Sequence, residues 1–197
     1  MTISDIRVNS PTFQIAPNNT DEEGYTADLG FRGRFNNLLS YDFSAFGLFY
    51  SNRLGEALFE NILGNPVRAR GNIGDAFIYG LETFVDWNII KTFWGDTQDF
   101  KLNLFSNLAL TKSKYTKVNN LSLGGDTEVT ILQEGNQVEF IPDINLKAGL
   151  NFGYKDFLGS IQYTYLSEQF TDATNAEQNV NDNQRGIEGT IPAYDIL

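Results

Sequence analysis

The sequence predicts an all-β fold, an antiparallel transmembrane β-barrel fragment built as a meander of six to seven strands. Three observations predict it. Apolar and polar side chains alternate with period two in six strand-length segments, the connections between segments are alternately short and long, and aromatic residues collect at both segment ends. Successive side chains on a strand point to opposite faces, so such segments carry one greasy and one hydrated face.

The first segment sets Tyr25, Ala27, Leu29, Phe31, Gly33 and Phe35 against Thr26, Asp28, Gly30, Arg32 and Arg34. The second sets Tyr41, Phe43, Ala45, Gly47 and Phe49 against Asp42, Ser44 and Tyr50, with Phe46 and Leu48 breaking the polarity of that second face. In the third, Phe77, Tyr79, Leu81, Val85 and Trp87 oppose Gly80, Glu82 and Asp86. The fourth sets Phe100, Leu102, Leu104, Leu108 and Leu110 against Lys101, Asn103, Asn107 and Thr111. The fifth runs from Ile144 to Tyr154 and the sixth from Phe157 to Tyr165, with a seventh beginning in Ile191 to Leu197. Segments of about 9 to 11 residues suit a tilted strand crossing a bilayer.

Asn36-Asn37-Leu38-Leu39 and Lys155-Asp156 are short enough for hairpin turns, and the connection from Asn88 to about Gln98 is modest. The connections Asn52 to Asp75, Lys112 to Pro142 and Ser167 to Ile191 read as long loops. This asymmetry is that of barrels with short periplasmic turns and long extracellular loops, in which residues 1–20 would also be an extracellular loop. Phe35, Tyr41, Trp87, Phe100, Tyr154 and Phe157 fall beside the short connections, and Tyr25, Phe49, Phe77, Tyr79, Tyr163 and Tyr165 toward the long ones. Amphipathic rings favour the headgroup layers, so the two sets read as girdles.

The 197 residues suffice for one domain, and a net charge of −11 argues against a nucleic-acid partner. With neither cysteine nor histidine in the chain, disulfides, thiolate or imidazole metal sites and His-dependent hydrolytic triads are excluded. No carboxylate pair stands out, so no catalytic residue, metal site or cofactor is expected and the chain reads as a non-enzyme. Thr171 to Asn183 is rich in oxygen ligands but lacks the ordered spacing of a calcium loop, and Gly124-Gly125-Asp126 reads as a turn. Met1 to Arg7 has neither the basic nor the apolar region of a secretory leader. Seven strands also fall short of the eight or so of the smallest closed barrels, so the chain is expected to be a piece of something larger.

Gly24-Tyr25-Thr26-Ala27-Asp28-Leu29-Gly30-Phe31-Arg32-Gly33, with Ser40-Tyr41-Asp42-Phe43-Ser44-Ala45-Phe46 after the turn, resembles the barrel of TonB-dependent outer-membrane receptors. Ala69-Arg70-Gly71-Asn72-Ile73-Gly74-Asp75-Ala76, leading into Ile78-Tyr79-Gly80-Leu81-Glu82, and Gln162 to Asp172 are similar to strands of that family, in flavour closest to its ferric dicitrate type. The resemblance implies a Gram-negative outer membrane, a plugged barrel of about 22 strands and uptake of an iron chelate or similar scarce nutrient powered through the TonB complex. The plug and the TonB box are not among these residues. It also implies roles for charged residues. Arg68 and Arg70 would bind an anionic chelate at the mouth, or else be a pair that is solvated or bound to lipopolysaccharide phosphates. Arg32, Arg34, Glu82 and Asp86 would face the lumen, touching the plug or pairing with one another. The rival readings are a secreted soluble β-sandwich acting as a binding module, and a passive porin.

Overall fold

The protein is described from a computed structural model that covers residues 13–60, 66–96, 99–122, 128–129, 133–175, 177 and 189–197. The strands are β1 (Phe13–Ile15), β2 (Glu23–Phe35), β3 (Leu39–Glu60), β4 (Pro66–Asn88), β5 (Phe100–Val118), β6 (Leu121–Ser122), β7 (Glu128–Val129), β8 (Ile144–Tyr154), β9 (Phe157–Leu166), β10 (Gln169–Phe170), β11 (Thr190–Ile191) and β12 (Tyr194–Ile196), with helix α1 (Ile89–Trp94) between β4 and β5. The main sheet runs in the order β12-β9-β8-β5-β4-β3-β2, an antiparallel meander in which each long strand pairs with the next long strand in the chain. The seventh strand is β12, whose Tyr194 to Ile196 pair with Leu166 to Thr164.

The register keeps the two faces apart across the whole sheet. Leu29 stands opposite Ala45 and Ala45 opposite Leu81, then Leu110 and Ile144 follow on the same apolar row. These side chains face outward, with Leu29 82% and Leu81 53% exposed. A soluble sandwich would cover them with a second sheet, and among the described residues none does. Both expected girdles lie on this face. Tyr25 packs on Phe49 with ring centroids 5.4 Å apart and Phe77 on Tyr79 at 5.1 Å, while Phe100 meets Tyr154 at 4.6 Å at the other end.

The short connections are built from residues that tolerate their geometry. Asn36 and Asn37 adopt φ of 44° and 54°, and Lys155 of 50°, the left-handed region in which Asn is several-fold enriched. The third connection holds α1, which the sequence reading did not foresee. Asn88 caps it by accepting Lys91 N–H at 2.8 Å, and Trp87 Nε1 donates to Thr92 Oγ1 at 2.8 Å, tying the helix to the end of β4. Phe93 and Trp94 remain exposed at this rim, T-shaped at 5.7 Å, and extend the lower girdle.

At the opposite rim the expected loops are strand for much of their length. β3 runs 22 residues, β4 23 and β5 19. Twenty-two residues at ~3.3 Å each, tilted about 45°, rise about 50 Å against a hydrocarbon layer of about 30 Å. The ladder therefore continues well beyond the bilayer. Register shifts between Tyr50, Arg53 and Leu54 and between Asp75 and Ala76 mark where it changes character. Each shift moves the inward set to the other parity, so Ala76 and Ile78 are buried below it and Val67, Ala69 and Ile73 above it. Gly74 sits at the shift because a Cβ there would collide with the carbonyl oxygen of Lys117. β1 then pairs in parallel with β4 at Arg68 to Arg70, where the β5 ladder has already ended.

The buried side chains gather at this upper end rather than in the middle of the sheet. Ala69, Ile73, Ala76, Ile78, Tyr115, Leu121, Val138 and Ala173 form one cluster, flanked by Ala16, Phe46, Leu48 and Tyr50. Phe46 and Leu48, the residues that break the alternation of the second segment, thus have partners on the polar face: Phe46 lies over Gly80, where a Cβ would come within 3.0 Å of its ring.

Facing decides the cost of a charge. In the complete protein in lipid, Leu81→Arg is expected to destabilise by about 2 to 4 kcal/mol, and Asn103→Arg, on the polar face, by much less. Denaturant unfolding in lipid vesicles measures both; equal penalties would mean the faces are misassigned.

Candidate functional site: polar wall and upper mouth

The even positions of β2 to β4 assemble a charged wall. Arg32 stands opposite Asp42, Gly30 opposite Ser44 and Ser44 opposite Glu82, while Arg34 stands opposite Ser40 and Ser40 opposite Asp86. Arg32 Nε approaches Asp42 Oδ2 at 3.7 Å, Arg34 Nε donates to Ser40 Oγ at 3.3 Å, and Asn103 Nδ2 donates to Asp86 Oδ1 at 3.1 Å. The Arg32 and Asp42 side chains are 86% and 43% exposed, so this pair is worth little by itself. Asp28, Gly30, Arg32, Asp42, Ser44 and Glu82 line an open polar recess of about 440 Å³. Arg32, Arg34, Glu82 and Asp86 thus share one face, and Lys147 joins it from β8 opposite Asn107.

The upper mouth holds the most tightly built polar group, and sequence reading missed it. Arg53 Nη2 donates to Glu139 Oε1 at 3.2 Å and its Nε to the Tyr115 hydroxyl oxygen at 3.4 Å, while that hydroxyl donates to Glu139 Oε2 at 2.7 Å. Glu22 reaches the same group from the segment after β1, 4.0 Å from Arg53 Nη1, and its other oxygen accepts Leu54 N–H at 3.1 Å. Tyr115 is 1% and Glu139 9% exposed. Burial, reinforced by the Glu139 carboxylate, pushes the Tyr115 phenol far above its usual range. Burial alone would lower Arg53, but Glu139, Tyr115 and Glu22 outweigh it and hold its pKa above normal. The three partners come from β3, β5 and the 133–142 connection, so no local motif announces them. The signal available was a Tyr at an inward position of β5, with an Arg at the shift in β3.

The same connections are clasped by asparagines. Asn72 Nδ2 donates to the Thr20 and Asn52 carbonyls at 3.0 and 2.5 Å, and its Oδ1 accepts Thr20 N–H at 2.7 Å. Asn175 Nδ2 donates to the Gln137 carbonyl at 2.8 Å and its Oδ1 accepts Gln137 N–H at 2.6 Å. Asp172 Oδ1 accepts Thr174 N–H at 2.7 Å, so this carboxylate serves its own loop while Asn175 ties that loop to the 133–142 connection. Asn179 to Asn183 and Gly124-Gly125-Asp126 lie outside the described residues. Among the described residues no acidic cluster could hold a metal. Arg70 Nη1 donates to Glu56 Oε1 across the β3–β4 ladder at 3.1 Å. Arg68 occupies the same strand two residues earlier, paired through its backbone with Leu58 and Phe13, and its side chain is outside the description.

The sequence model of the family described as "TonB dependent receptor-like, beta-barrel" matches residues 3–197. The chain belongs to the TonB-dependent receptor β-barrel family. Among solved structures, this TonB-dependent receptor barrel chain is similar to the copper transporter OprC, with TM-score 0.58 and 13% identity over 91% of this chain and 23% of that one. It is also similar to the FrpB iron transporter from Neisseria meningitidis (F3-3 variant), with TM-score 0.50 and 15% identity over 93% of this chain and 24% of the other. At these identities the likeness carries the fold alone, and the chain spans about a quarter of the length of either protein. No curated protein matches it. Family membership places this receptor chain in the Gram-negative outer membrane, with the apolar face toward lipid.

Two outcomes follow for the mouth. Glu139→Ala leaves the Arg53 guanidinium and the Tyr115 hydroxyl without their shared partner, and is expected to cost about 3 kcal/mol locally, read as faster amide exchange in residues 133–142. Tyr115, with its folded pKa raised above the unfolded value of ~10, contributes stability that is complete below about pH 10 and is lost as pH climbs toward the folded value. Phenolate absorbance of the folded receptor at pH 11 should therefore be the same with Tyr115→Phe; one phenolate fewer in the variant would show that Tyr115 titrates normally.

Proposed function

We propose that the chain is a segment of the barrel wall of a receptor that actively takes up an iron chelate, a siderophore or ferric citrate, using energy relayed from the TonB complex. The observation that carries the reading is the combination of a lipid-compatible apolar face with a charged opposite face, in a chain whose whole length matches the receptor barrel family. In that reading the polar face is the lumen wall, and Arg32, Arg34, Glu82 and Asp86 line it beside the plug. The family is one of receptors and transporters, and we assign the chain no catalytic role.

Arg68 and Arg70 are the proposed contacts for an anionic chelate. They stand on the tall β3–β4 hairpin at the upper rim, and a guanidinium offers forked donors to carboxylates. Arg70 already serves Glu56, so a ligand has to compete with that carboxylate. Residues 1–20, whose β1 straps this hairpin, then belong to an extracellular loop, and the plug to a part of the receptor outside these residues.

The test is ferric citrate binding and energised uptake by the full-length receptor. Arg70→Ala is expected to weaken binding about ten-fold, the worth of one charged hydrogen bond, and Glu56→Gln to strengthen it several-fold by releasing Arg70. Unchanged affinity in both variants would remove these residues from the site. Uptake that persists when the proton-motive force is collapsed would favour a passive porin.

A further inference from the structure

The polar face changes its chemistry half-way across the sheet. On β2 to β4 it carries Asp28, Asp42, Glu82 and Asp86 beside Arg32 and Arg34. Strands β5, β8 and β9 hold no Asp or Glu at all, in a chain that has 25 of them and a net charge of −11. The polar side chains they place on that face are amides and hydroxyls, with two lysines, Lys101 and Lys147.

The register sets these groups in rows. Asn107, Lys147 and Thr164 share one row, and Asn103, Asn151 and Ser160 share another nearer the short turns. Lys101 ends the series opposite Gly153, about 20 Å along the strand from Lys147. There Lys101, Asn103, Asn151, Leu158 and Ser160 line a recess of about 460 Å³. Lys101, Lys147, Asn151 and Ser160 are all exposed. Ser160 Oγ donates to Asn151 Oδ1 at 2.8 Å, which leaves the Asn151 NH2 without a partner among the described residues. Neither lysine meets a carboxylate among them.

A solute in transit needs contacts strong enough to admit it and weak enough to release it, and successive neutral amides and hydroxyls supply such contacts. A carboxylate-bearing solute is repelled by Asp42 and Glu82 on the β2–β4 wall, and it meets only neutral donors and lysines on the other. We propose that the acid-free wall of β5, β8 and β9 is the track along which an anionic solute crosses the membrane. Lys147 receives it from the mouth, the Asn103, Asn151 and Ser160 row hands it down, and Lys101 meets it at the lower recess. The β2–β4 wall, where Arg32 and Asp42 already face each other, is left to hold the plug. The proposal deepens the uptake reading and rests on it for the direction of travel.

The test uses the full-length receptor in cells with an intact proton-motive force. Single cysteines are compared, Asn107→Cys and Asn151→Cys on the track and Ser44→Cys on the opposite wall, each exposed to an anionic methanethiosulfonate. The two track positions are expected to react about tenfold faster than Ser44→Cys, because the lysines concentrate the anion along their wall. Equal rates, or the reverse order, would overturn the proposal. Asn151→Asp keeps the shape of the side chain and adds a like charge, which at about 4 Å in water should slow passage about fivefold. Ferric citrate uptake is expected to fall by that factor while binding at the surface holds, and Thr26→Asp, the same charge on the β2 wall, should not slow it. Equal slowing by both variants, or slowing by neither, would overturn the proposal as well. A receptor that ignores ferric citrate yet keeps the labelling order fails the iron-chelate reading and leaves the track standing for another anion.

Discussion

Inside a bilayer a peptide group without a hydrogen-bond partner costs several kcal/mol, and no water is there to supply one. The ladder from β2 to β9 meets that constraint by pairing each long strand to the next with continuous register through the span, from Phe35 with Leu39 at one end to Tyr25 with Phe49 at the other. Everything else follows from keeping it unbroken. Side chains are forced into strict alternation, so the apolar row of Leu29, Ala45, Leu81 and Leu110 and the charged row of Arg32 and Asp42 arise from the same backbone repeat. The two outer strands of the sheet, β2 and β12, each present an edge, which in a lipid phase requires further strands beside them.

Above the bilayer the constraint relaxes, and the structure uses the freedom. The shifts at Tyr50 to Leu54 and at Asp75 to Ala76 are tolerated where water or side chains can satisfy the displaced backbone groups, as Asp75 does for Asn52 N–H. Beyond them the strands need inward apolar partners to stay ordered, and Ile73 and Ala69 cluster with Leu121 and Ala16 from neighbouring segments. The Arg53, Tyr115 and Glu139 group fixes the 133–142 connection to that cluster. Removing its charge from water is costly, and the group repays the cost only because every member is partnered, so its value is geometric specification of the mouth as much as stability.

The membrane-spanning part was legible in the sequence because alternation, turn residues and girdles all report on the same repeat. Tyr25, Phe49, Phe77, Tyr79, Phe100 and Tyr154 could be assigned to rims and to one face before any coordinates. The tall hairpin was not legible, because period-two reading is interrupted wherever one extra residue flips the parity. Val67, Ala69 and Ile73 alternate as well as Ala76 and Ile78 do, but on the other parity, and across the shift the two runs cancel. Helix α1 was hidden by its brevity, since six residues show less than two helical turns of pattern. The mouth group joins Arg53 to Glu139 across 86 positions, beyond the reach of any local motif. The polar wall was foreseeable as a face, while the partners of Arg70 and Asn72 required the register between strands.

Site-directed spin labelling along β4 tests the central claim, a two-faced strand crossing lipid, most directly. The chain contains no cysteine, so single-cysteine positions from Phe77 to Trp87 can be labelled against a blank background in this segment of the receptor. Collision with oxygen, which dissolves in hydrocarbon, should be high at Tyr79, Leu81, Thr83 and Val85, and collision with a polar relaxant high at Glu82, Phe84 and Asp86, with a period of two residues. Accessibility that varies smoothly along the strand without alternation, or alternates in the opposite phase, would contradict it.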